Sequence, residues 1–256
     1  MADKFAIITG ASTGIGFELA HLIAKDGYDL LVVANEPLID ASARDFERHG
    51  TTVQAVEADL STLHGVDQLL AAADGRKIDV LCANAGVGTG GAFLEQDVAI
   101  WRHSIDTNVT GTVYLLQKVL KEMVARRDGK LLVTGSIAGY IPGSFNAVYN
   151  ATKAFIDNFT EALRNELKDV KGVTLTTLMP GATETEFFAR ADMLDTQVGS
   201  AEKADPAKVA RDGWDALLAG KGHIVSGWSN KLQVAGAGIL PQSMLAEQHR
   251  KMAEPG

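Results

Sequence analysis

The chain of 256 residues is 46% hydrophobic and carries a formal net charge of -8, so it is long enough to bury a sizeable core. The negative charge argues against nucleic acid or an anionic membrane as a partner, because both require a basic face. The single cysteine excludes an internal disulfide, and the six scattered histidines form no pair at metal-ligand spacing. No apolar run approaches the roughly 20 residues that span a bilayer, and no signal-peptide pattern precedes the first apolar segment. We therefore expect a cytoplasmic protein without a metal site.

Seven short runs rich in Val, Ile and Leu recur along the chain, and helical patterns follow most of them. The runs are residues 5–9, 30–34, 53–57, 80–83, 131–134, 173–179 and 223–226. Several are apolar at nearly every position, as is typical of strands in a parallel sheet that helices cover on both faces. The alternation predicts βαβ units. We therefore expect an α/β fold of the doubly wound, three-layer Rossmann type, with a mostly parallel sheet of about seven strands.

No charge block, low-complexity tract or internal repeat divides the chain, which we interpret as one domain over residues 1–256. After the sixth strand, residues 182–205 interrupt the alternation of strands and helices. Insertions at the carboxyl end of a strand are common places for a lid, so this segment is predicted to cover a substrate site. A last helix is predicted to begin at Pro241. It would either cover the substrate cleft or pack on a neighbouring subunit.

The first strand runs into the sequence TGASTGIG, which contains Gly10, Gly14 and Gly16 and opens a helix. Glycines allow a tight turn and a close approach of the backbone, and the N–H groups at a helix start can bind a pyrophosphate. The spacing G-x-x-x-G-x-G differs from the general dinucleotide fingerprint G-x-G-x-x-G. A glycine turn is often only a connection, but its position after the first strand favours dinucleotide binding.

Tyr149 and Lys153 lie four residues apart in a predicted helix, which places them on one face about 6 Å apart along the axis. A free tyrosine has a pKa of about 10, and a nearby ammonium group favours the phenolate and lowers that pKa. The pair suits general acid/base catalysis, although an exposed polar pair is the more ordinary interpretation of this spacing alone. Ser136 follows the fifth strand and would hydrogen-bond a substrate oxygen, whereas a hydroxyl that closes a turn is the commoner finding there.

Six motifs follow one another along residues 9 to 185. They are TGASTGIG at 9–16, NAG at 84–86, Asn108 in DTNVTG, Ser136 in VTGSIAG, Tyr149 and Lys153 in YNATK, and Pro180 with Gly181. Together they resemble the short-chain dehydrogenase/reductase family. The resemblance implies an NAD(P)-dependent oxidoreductase that interconverts a ketone or aldehyde and an alcohol by hydride transfer. It also implies a homodimer or homotetramer built on the helices around residues 101–126 and 149–168.

The resemblance implies four catalytic residues. Tyr149 would be the general acid/base, and Lys153 would tune it and hold the nicotinamide ribose hydroxyls. Ser136 would orient the substrate oxygen. Asn108 would kink its helix and anchor a water that links the lysine to solvent. A side chain that satisfies backbone groups within a helix is the alternative interpretation of Asn108, and the two roles are compatible.

The resemblance also implies a set of cofactor contacts. They are Gly10, Ser12, Thr13, Gly14, Ile15, Gly16, Asn35, Glu36, Asp59, Leu60, Asn84, Ala85, Gly86, Tyr149, Lys153, Pro180, Gly181, Thr183 and Thr185. Asp59 matches the aspartate that reads the adenine amino group, although an aspartate that caps the next helix competes with this interpretation. Asn84 and Gly86 match a motif that steadies the sheet beside the cofactor. Thr185 fits a hydroxyl that reaches the carboxamide or pyrophosphate, and Thr183 replaces the usual valine or isoleucine.

The sequence ANEP at the end of the second strand bears on the choice between NAD and NADP. NAD enzymes normally have a carboxylate here for the ribose 2′-hydroxyl, whereas NADP enzymes have an arginine or lysine for the phosphate. Glu36 lies two positions past the usual acid, and no basic residue occurs between Lys25 and Arg44. Thr13 occupies a position that is often basic in NADP users. The segment favours NAD(H) over NADP(H), unless a basic side chain from elsewhere reaches the site.

The predicted substrate lining consists of residues 87–93, residues 137–148 and the insertion around Phe187, Phe188 and Met193. These residues are mainly apolar or small and include no arginine clamp, which favours a small neutral ketone, aldehyde or secondary alcohol. Two other function classes stay open, because fold does not fix function. One is a non-catalytic dinucleotide-binding regulatory or scaffold protein, and the other is an epimerase or lyase on the same fold.

Overall fold

A seven-stranded parallel sheet forms the centre of the computed structural model, which describes residues 4–256. The strands are β1 (Phe5–Thr9), β2 (Asp29–Ala34), β3 (Val53–Glu57), β4 (Val80–Ala83), β5 (Gly129–Thr134), β6 (Val173–Met179) and β7 (His223–Val225). Each predicted run is a strand, and only three of them differ at one end. The structure starts β2 at Asp29 and β5 at Gly129, and it ends β7 at Val225.

The order of the strands creates a switch point in the middle of the sheet. The order is β3-β2-β1-β4-β5-β6-β7, so the chain builds outward from β1 to β3 and then returns to the other side of β1. Because every pairing is parallel, all seven carboxyl ends lie at one edge. Ligands of such sheets bind outside the carboxyl ends, beside the switch point. The turns after β1 and β4 are therefore placed side by side where a ligand is expected.

Helices cover both faces of the sheet, which confirms the predicted three-layer Rossmann architecture. The α-helices are α1 (Gly14–Lys25), α2 (Leu38–Glu47), α3 (Leu63–Ala72), α4 (Val98–Ile105), α5 (Thr112–Arg126), α6 (Ala147–Glu166), α7 (Phe187–Arg190), α8 (Gln197–Ser200), α9 (Pro206–Leu218), α10 (Trp228–Ala237) and α11 (Gln242–Ala253). Along β1, Ile8 packs in the core with α1, α2 and α9, whereas Ile7 packs in the core with α3, α5 and α6. This alternation follows from the two-residue period of a strand.

Residues Asp106–Gly111 form a π-helical segment between α4 and α5. The extra residue in the turn displaces the backbone hydrogen bonds, and such segments occur often at functional sites. Asn108 lies in this segment, where the family resemblance implied a kinked helix. The predicted long helix over residues 101–126 is therefore three consecutive helical segments in the structure.

The 182–205 segment contains the two short helices α7 and α8 and is closed at its base. A bridge pairs Thr183 with Ala204, and the N–H of Glu184 donates to the Ala204 carbonyl at 2.9 Å. Phe188 and Met193 of this segment pack in a small apolar cluster with Ala253 of α11. The segment therefore lies against the carboxyl-terminal helix.

The predicted last helix is present as α11, and Pro241 precedes its first residue. The sequence did not predict α10, because its apolar residues are interrupted by polar and small ones. Among residues 4–256, none of the helices combines the length and the hydropathy needed to cross a bilayer.

Leu31→Ala tests the packing of the sheet. Leu31 lies in β2 with no exposed surface, so removing its side chain leaves a cavity between the sheet and the α3, α5 and α6 layer. We expect the free energy of unfolding to fall by about 2–5 kcal/mol in urea titrations. The matched control is Leu63→Ala, because Leu63 is 49% exposed at the start of α3. Equal losses in the two variants would contradict the assignment of Leu31 to the core.

Candidate active site

A cavity of about 390 Å³ lies at the carboxyl edge of the sheet. The turns after β1, β4, β5 and β6 all contribute to its wall, and so do α6 and the 182–205 segment. Most of the predicted site residues line it. These are Gly10, Ser12, Thr13, Gly14, Ile15, Asn35, Asp59, Leu60, Asn84, Ala85, Gly86, Ser136, Tyr149, Lys153, Pro180, Gly181, Thr183 and Thr185. Gly16, Glu36 and Asn108 do not form part of the wall.

The glycine turn after β1 forms one end of the cavity. Gly10 and Gly14 have φ values of 63° and 61°, a backbone conformation that favours glycine. Thr13 precedes α1 and makes no side-chain capping bond, and the first turn of α1 contains no acidic residue. The free N–H groups and the positive end of the helix dipole therefore face this end of the cavity without a side chain to satisfy them. This arrangement fits an anionic group such as a pyrophosphate.

Gly16 lies behind the cavity wall and has a packing role. A Cβ atom at Gly16 would stand 2.1 Å from the Gly10 carbonyl oxygen and 2.5 Å from Asn84 Nδ2. Only glycine allows α1 to approach the end of β1 this closely. The sequence motif placed Gly16 with the cofactor contacts, but its position explains the close packing of helix on strand.

Asn84 ties together the ends of three strands. Its Nδ2 donates to the carbonyls of Thr9 at 3.2 Å and Gly10 at 3.3 Å, and its Oδ1 accepts from Thr134 Oγ1 at 3.0 Å. These bonds fix β1, β4 and β5 at the edge of the cavity. The sheet-steadying position that the resemblance implied for Asn84 agrees with this geometry.

Ser136 and Tyr149 lie on the cavity wall at the end of β5 and the start of α6. Ser136 Oγ accepts from the N–H of Ala138 at 3.1 Å and donates to the Pro180 carbonyl at 3.4 Å. Burial of the Tyr149 hydroxyl raises its pKa to about 12, although its hydrogen bond with Ser136 acts in the opposite direction. The phenol is therefore neutral at physiological pH and able to donate a proton.

Lys153 is buried beside Tyr149. Its Nζ donates to the Thr134 carbonyl at 2.8 Å and lies 5.8 Å from the centre of the Tyr149 ring. Burial lowers the pKa of Lys153, and the nearby Asp157 carboxylate raises it. Burial of the phenol outweighs the other influences on the pKa of Tyr149, and the lowering expected from Lys153 stays a prediction.

Asp157 is a site residue that the sequence analysis missed. It lies one helical turn after Lys153 on α6, is 9% exposed, and has no hydrogen-bond partner of good geometry for either carboxylate oxygen among residues 4–256. A Cβ at Gly135 would stand 1.8 Å from one oxygen and a Cβ at Gly139 2.5 Å from the other. Burial raises the pKa of Asp157, and Lys153 lowers it. The four-residue spacing from Lys153 was the available signal.

Asn108 lies behind the wall and satisfies backbone groups. Its Nδ2 donates to the Val87 carbonyl at 2.9 Å and to Thr152 Oγ1 at 3.0 Å, and its Oδ1 accepts from the Val87 N–H at 2.8 Å. Gly86 separates it from Lys153. A Cβ at Gly86 would stand 3.2 Å from Asn108 Oδ1 and 3.4 Å from Lys153 Nζ. The backbone-satisfying role is therefore present, and the amide lies close to the lysine.

At the end of β2, Glu36 makes contacts that the sequence did not reveal. It accepts from Ser12 Oγ at 2.5 Å and from Arg190 Nη2 at 3.0 and 3.2 Å. Glu36 is thus held by two residues that line the cavity, and Arg190 comes from α7, 154 residues further along the chain. The hydrogen bond from Ser12, together with Arg190, keeps the pKa of the carboxyl below its ordinary value.

Asp59 lines the cavity and does not cap the following helix. Its Oδ1 accepts from the N–H of Ser61 at 2.9 Å. The cap of α3 is Thr62, whose Oγ1 accepts from the N–H of Gly65 at 2.9 Å. The capping interpretation of Asp59 is therefore wrong, and its side chain is available to the cavity.

The other end of the cavity is mainly apolar and is closed by the carboxyl-terminal helices. Phe187, Phe188 and Met193 line it as predicted, whereas Phe93 is 51% exposed and lies outside it. Four residues of α10 and α11 that the sequence analysis missed also contribute: Asn230, Gln233, His249 and Met252.

His249 fixes α11 over this end of the cavity. Its Nδ1 donates to the Ser144 carbonyl at 2.8 Å, and Ser144 Oγ donates to the Ala246 carbonyl at 3.0 Å. Burial lowers the pKa of His249, so the imidazole is neutral at physiological pH. The helix α11 therefore covers this end of the cavity, and its packing on a neighbouring subunit stays a prediction.

Comparison with known proteins gives consistent results. The family model described as short chain dehydrogenase matches residues 4–194. An uncharacterized oxidoreductase of Myxococcus xanthus is 37% identical over 196 residues, which are 74% of this chain and 76% of that protein.

Solved structures agree with this match. A short-chain dehydrogenase from Sphingobium yanoikuyae in complex with NADPH is 27% identical, with a TM-score of 0.81 over 92% of this chain and 94% of that chain. The bulky-bulky ketone specific alcohol dehydrogenase from Comamonas testosteroni is 25% identical, with a TM-score of 0.77 over 97% of this chain and 99% of that chain. With a family match over most of its length, this chain belongs to the short-chain dehydrogenase family of NAD(P)-dependent oxidoreductases.

Proposed function

We propose that this protein interconverts a small neutral carbonyl compound and the corresponding alcohol, with Tyr149 as general acid and base. The observation that carries the proposal is the shared wall of one cavity. Tyr149, Ser136 and Lys153 lie at the edge where β5 and α6 meet, and the glycine turn with the open start of α1 lies at the other end. One cavity therefore holds both a proton donor and backbone N–H groups suited to an anionic dinucleotide.

The chain's own residues supply the proton and the orientation. A nicotinamide cofactor, when bound, supplies the hydride. In reduction the Tyr149 hydroxyl would give its proton to the carbonyl oxygen, and Tyr149 would be left as a phenolate until solvent returns the proton. Ser136 Oγ orients the carbonyl oxygen and stabilises its developing negative charge. Oxidation of the alcohol follows the same steps in reverse.

The burial of Tyr149 and the charged groups beside it suit this residue to both carbonyl reduction and alcohol oxidation. Its pKa, raised to about 12, keeps the proton available for reduction. In the oxidation direction the phenolate requires a nearby cation, and the Lys153 ammonium is close enough to supply it. Asp157 raises the pKa of Lys153 and so opposes the loss of its charge through burial. We propose that Asn108, held close to Lys153 by Val87 and Thr152, anchors a water that links Lys153 to solvent.

The substrate class follows from the apolar end of the cavity. Phe187, Phe188, Met193 and Met252 line it, and Phe187 lies 4.9 Å from Tyr149 between ring centroids. These surfaces favour an uncharged substrate with an apolar substituent. The Comamonas testosteroni relative, a bulky-bulky ketone specific alcohol dehydrogenase, supports an uncharged ketone but not the small size of the substrate. We further propose that residues 182–205 act as a lid within a single domain.

The proposed assembly is a homodimer or homotetramer. Ala151, Phe155 and Ala162 of α6 are exposed, and Phe155, at 45% exposure, stacks on Phe159 with 5.7 Å between ring centroids. An exposed stripe of small and aromatic residues on a long helix supports packing against a second copy of the chain.

Tyr149→Phe tests the role of the phenol. We expect the rate of NADH-dependent reduction, for whichever carbonyl compound a screen identifies, to fall by about 1,000-fold, because the variant has no proton to donate. NADH affinity should change little, since the ring remains. The matched control is Tyr114→Phe, because Tyr114 bonds Asp67 at 2.9 Å outside the cavity. Strong residual activity in Tyr149→Phe would contradict the assigned role.

The ionisation of Tyr149 is a separate test of its environment. The phenolate absorbance of Tyr149→Phe is subtracted from that of the parent protein across an alkaline titration. Because burial raises the pKa of Tyr149 to about 12, its neutral form persists until the pH rises through that value. The difference signal should therefore be small at about pH 10, where a free tyrosine is half ionised. A half-developed signal at or below that pH would contradict the burial argument.

A further inference from the structure

We infer that Arg190 is a specificity-determining residue that, with Glu36, distinguishes a 2′-hydroxyl from a 2′-phosphate on the adenosine ribose of the cofactor. The inference rests on the proposed function, because it requires a dinucleotide in the cavity. Arg190 lies on α7 in the 182–205 segment, far in sequence from the end of β2. It therefore supplies the basic side chain that is missing from the local sequence around Glu36.

Three separate parts of the chain meet at this point. Glu36 follows β2, Ser12 belongs to the glycine turn, and Arg190 belongs to α7. Ser12 and Arg190 line the cavity together with Asn35, the residue before Glu36. A sugar bound against the glycine turn and the end of β2 would lie beside the Glu36 and Arg190 side chains, as expected for the adenosine half of a dinucleotide in this fold.

The distribution of cations along the cavity singles out Arg190. Among the residues of the described chain, 4–256, that line the cavity, only Lys153 is a lysine and only Arg190 is an arginine. Lys153 is buried and bonded to the Thr134 carbonyl at the Tyr149 end. The side chain of Arg190 is 48% exposed, and it forms an ion pair with Glu36. An anionic substituent bound near Ser12 could therefore pair with the Arg190 guanidinium. That guanidinium already pairs with the Glu36 carboxylate.

The contact is better suited to ligand discrimination than to stability. The side chains of Arg190 and Glu36 are 48% and 28% exposed, and ion pairs in such positions contribute little to folding. A guanidinium can, however, bind a phosphate through two parallel hydrogen bonds, and a carboxylate can accept from a ribose hydroxyl. Within this pair, the Glu36 carboxylate therefore favours a ribose hydroxyl, whereas the Arg190 guanidinium favours a phosphate.

The two forms of the cofactor affect this pair differently. A 2′-hydroxyl can donate to Glu36 while the carboxylate keeps its bond to Arg190. A 2′-phosphate must take the guanidinium away from Glu36, and it then stands next to an unpaired carboxylate. Like charges at this distance repel, so the pair favours NADH. Glu36 excludes the phosphate, and Arg190 is the group that would bind it once Glu36 is neutral.

Dissociation constants for four chains test the inference without turnover. The parent protein, Glu36→Gln, Arg190→Gln and the double variant are titrated with NADH and NADPH by calorimetry, and with ADP and 2′,5′-ADP as probes of the adenosine half. Glu36→Gln should strengthen NADPH relative to NADH by about tenfold or more, because a charge-assisted pair forms and a repulsion disappears. The double variant should lose this gain. The ratio of 2′,5′-ADP to ADP affinity should change in the same way.

The control is Arg48→Gln, which removes another exposed guanidinium. Arg48 pairs with Asp45 at 2.9 Å and does not line the cavity, so the ratio of the two affinities should equal that of the parent. If Glu36→Gln and the double variant bind NADPH equally well relative to NADH, the inference is overturned and the proposed function stands. If neither dinucleotide binds the folded parent protein, both are overturned.

Discussion

The parallel alignment of seven strands is the constraint on which the site depends. It brings every strand end to one edge of the sheet, and the reversal of strand order beside β1 leaves a gap between the turns after β1 and β4. Asn84 locks this gap at a fixed width through bonds to Thr9, Gly10 and Thr134. Gly16 then allows α1 to start close against it. The cavity therefore follows from backbone geometry before any catalytic side chain is considered.

Burial determines the chemistry of the groups that this geometry collects. Tyr149, Lys153 and Asp157 follow one another at four-residue spacing on one face of α6. Burial raises the pKa values of Tyr149 and Asp157 and lowers the pKa of Lys153. In each case burial favours the neutral form. Lys153 and Asp157 oppose that preference in each other, whereas at Tyr149 the Asp157 charge adds to it and the hydrogen bond with Ser136 opposes it. At the other end of the cavity Glu36 is more exposed, and hydrogen bonding lowers its pKa. The same cavity therefore has a buried end, where the neutral forms of the ionisable groups are favoured, and a more exposed end, where Glu36 is charged.

The sequence predicted the sheet and most of the cavity wall, because both depend on local patterns. Apolar runs identify strands, and motifs such as TGASTGIG and YNATK identify turns and helix starts. It could not predict contacts that only tertiary packing creates. The pairing of Arg190 with Glu36 joins residues 154 positions apart, and His249 reaches the cleft only because α11 folds back over Ser144. The spacing of Tyr149 and Lys153 predicts their proximity but not the depth of burial that raises the pKa of Tyr149.

The central claim is that the cavity at the carboxyl edge binds a nicotinamide dinucleotide. Binding of NADH can be followed directly by energy transfer from the three tryptophans to the nicotinamide ring in the purified, folded protein. The account predicts a saturable loss of tryptophan fluorescence with one NADH bound per chain, and excess ADP should reverse it by competing for the end of the cavity near Ser12. Absence of any saturable signal from a protein with an intact circular dichroism spectrum would contradict the account.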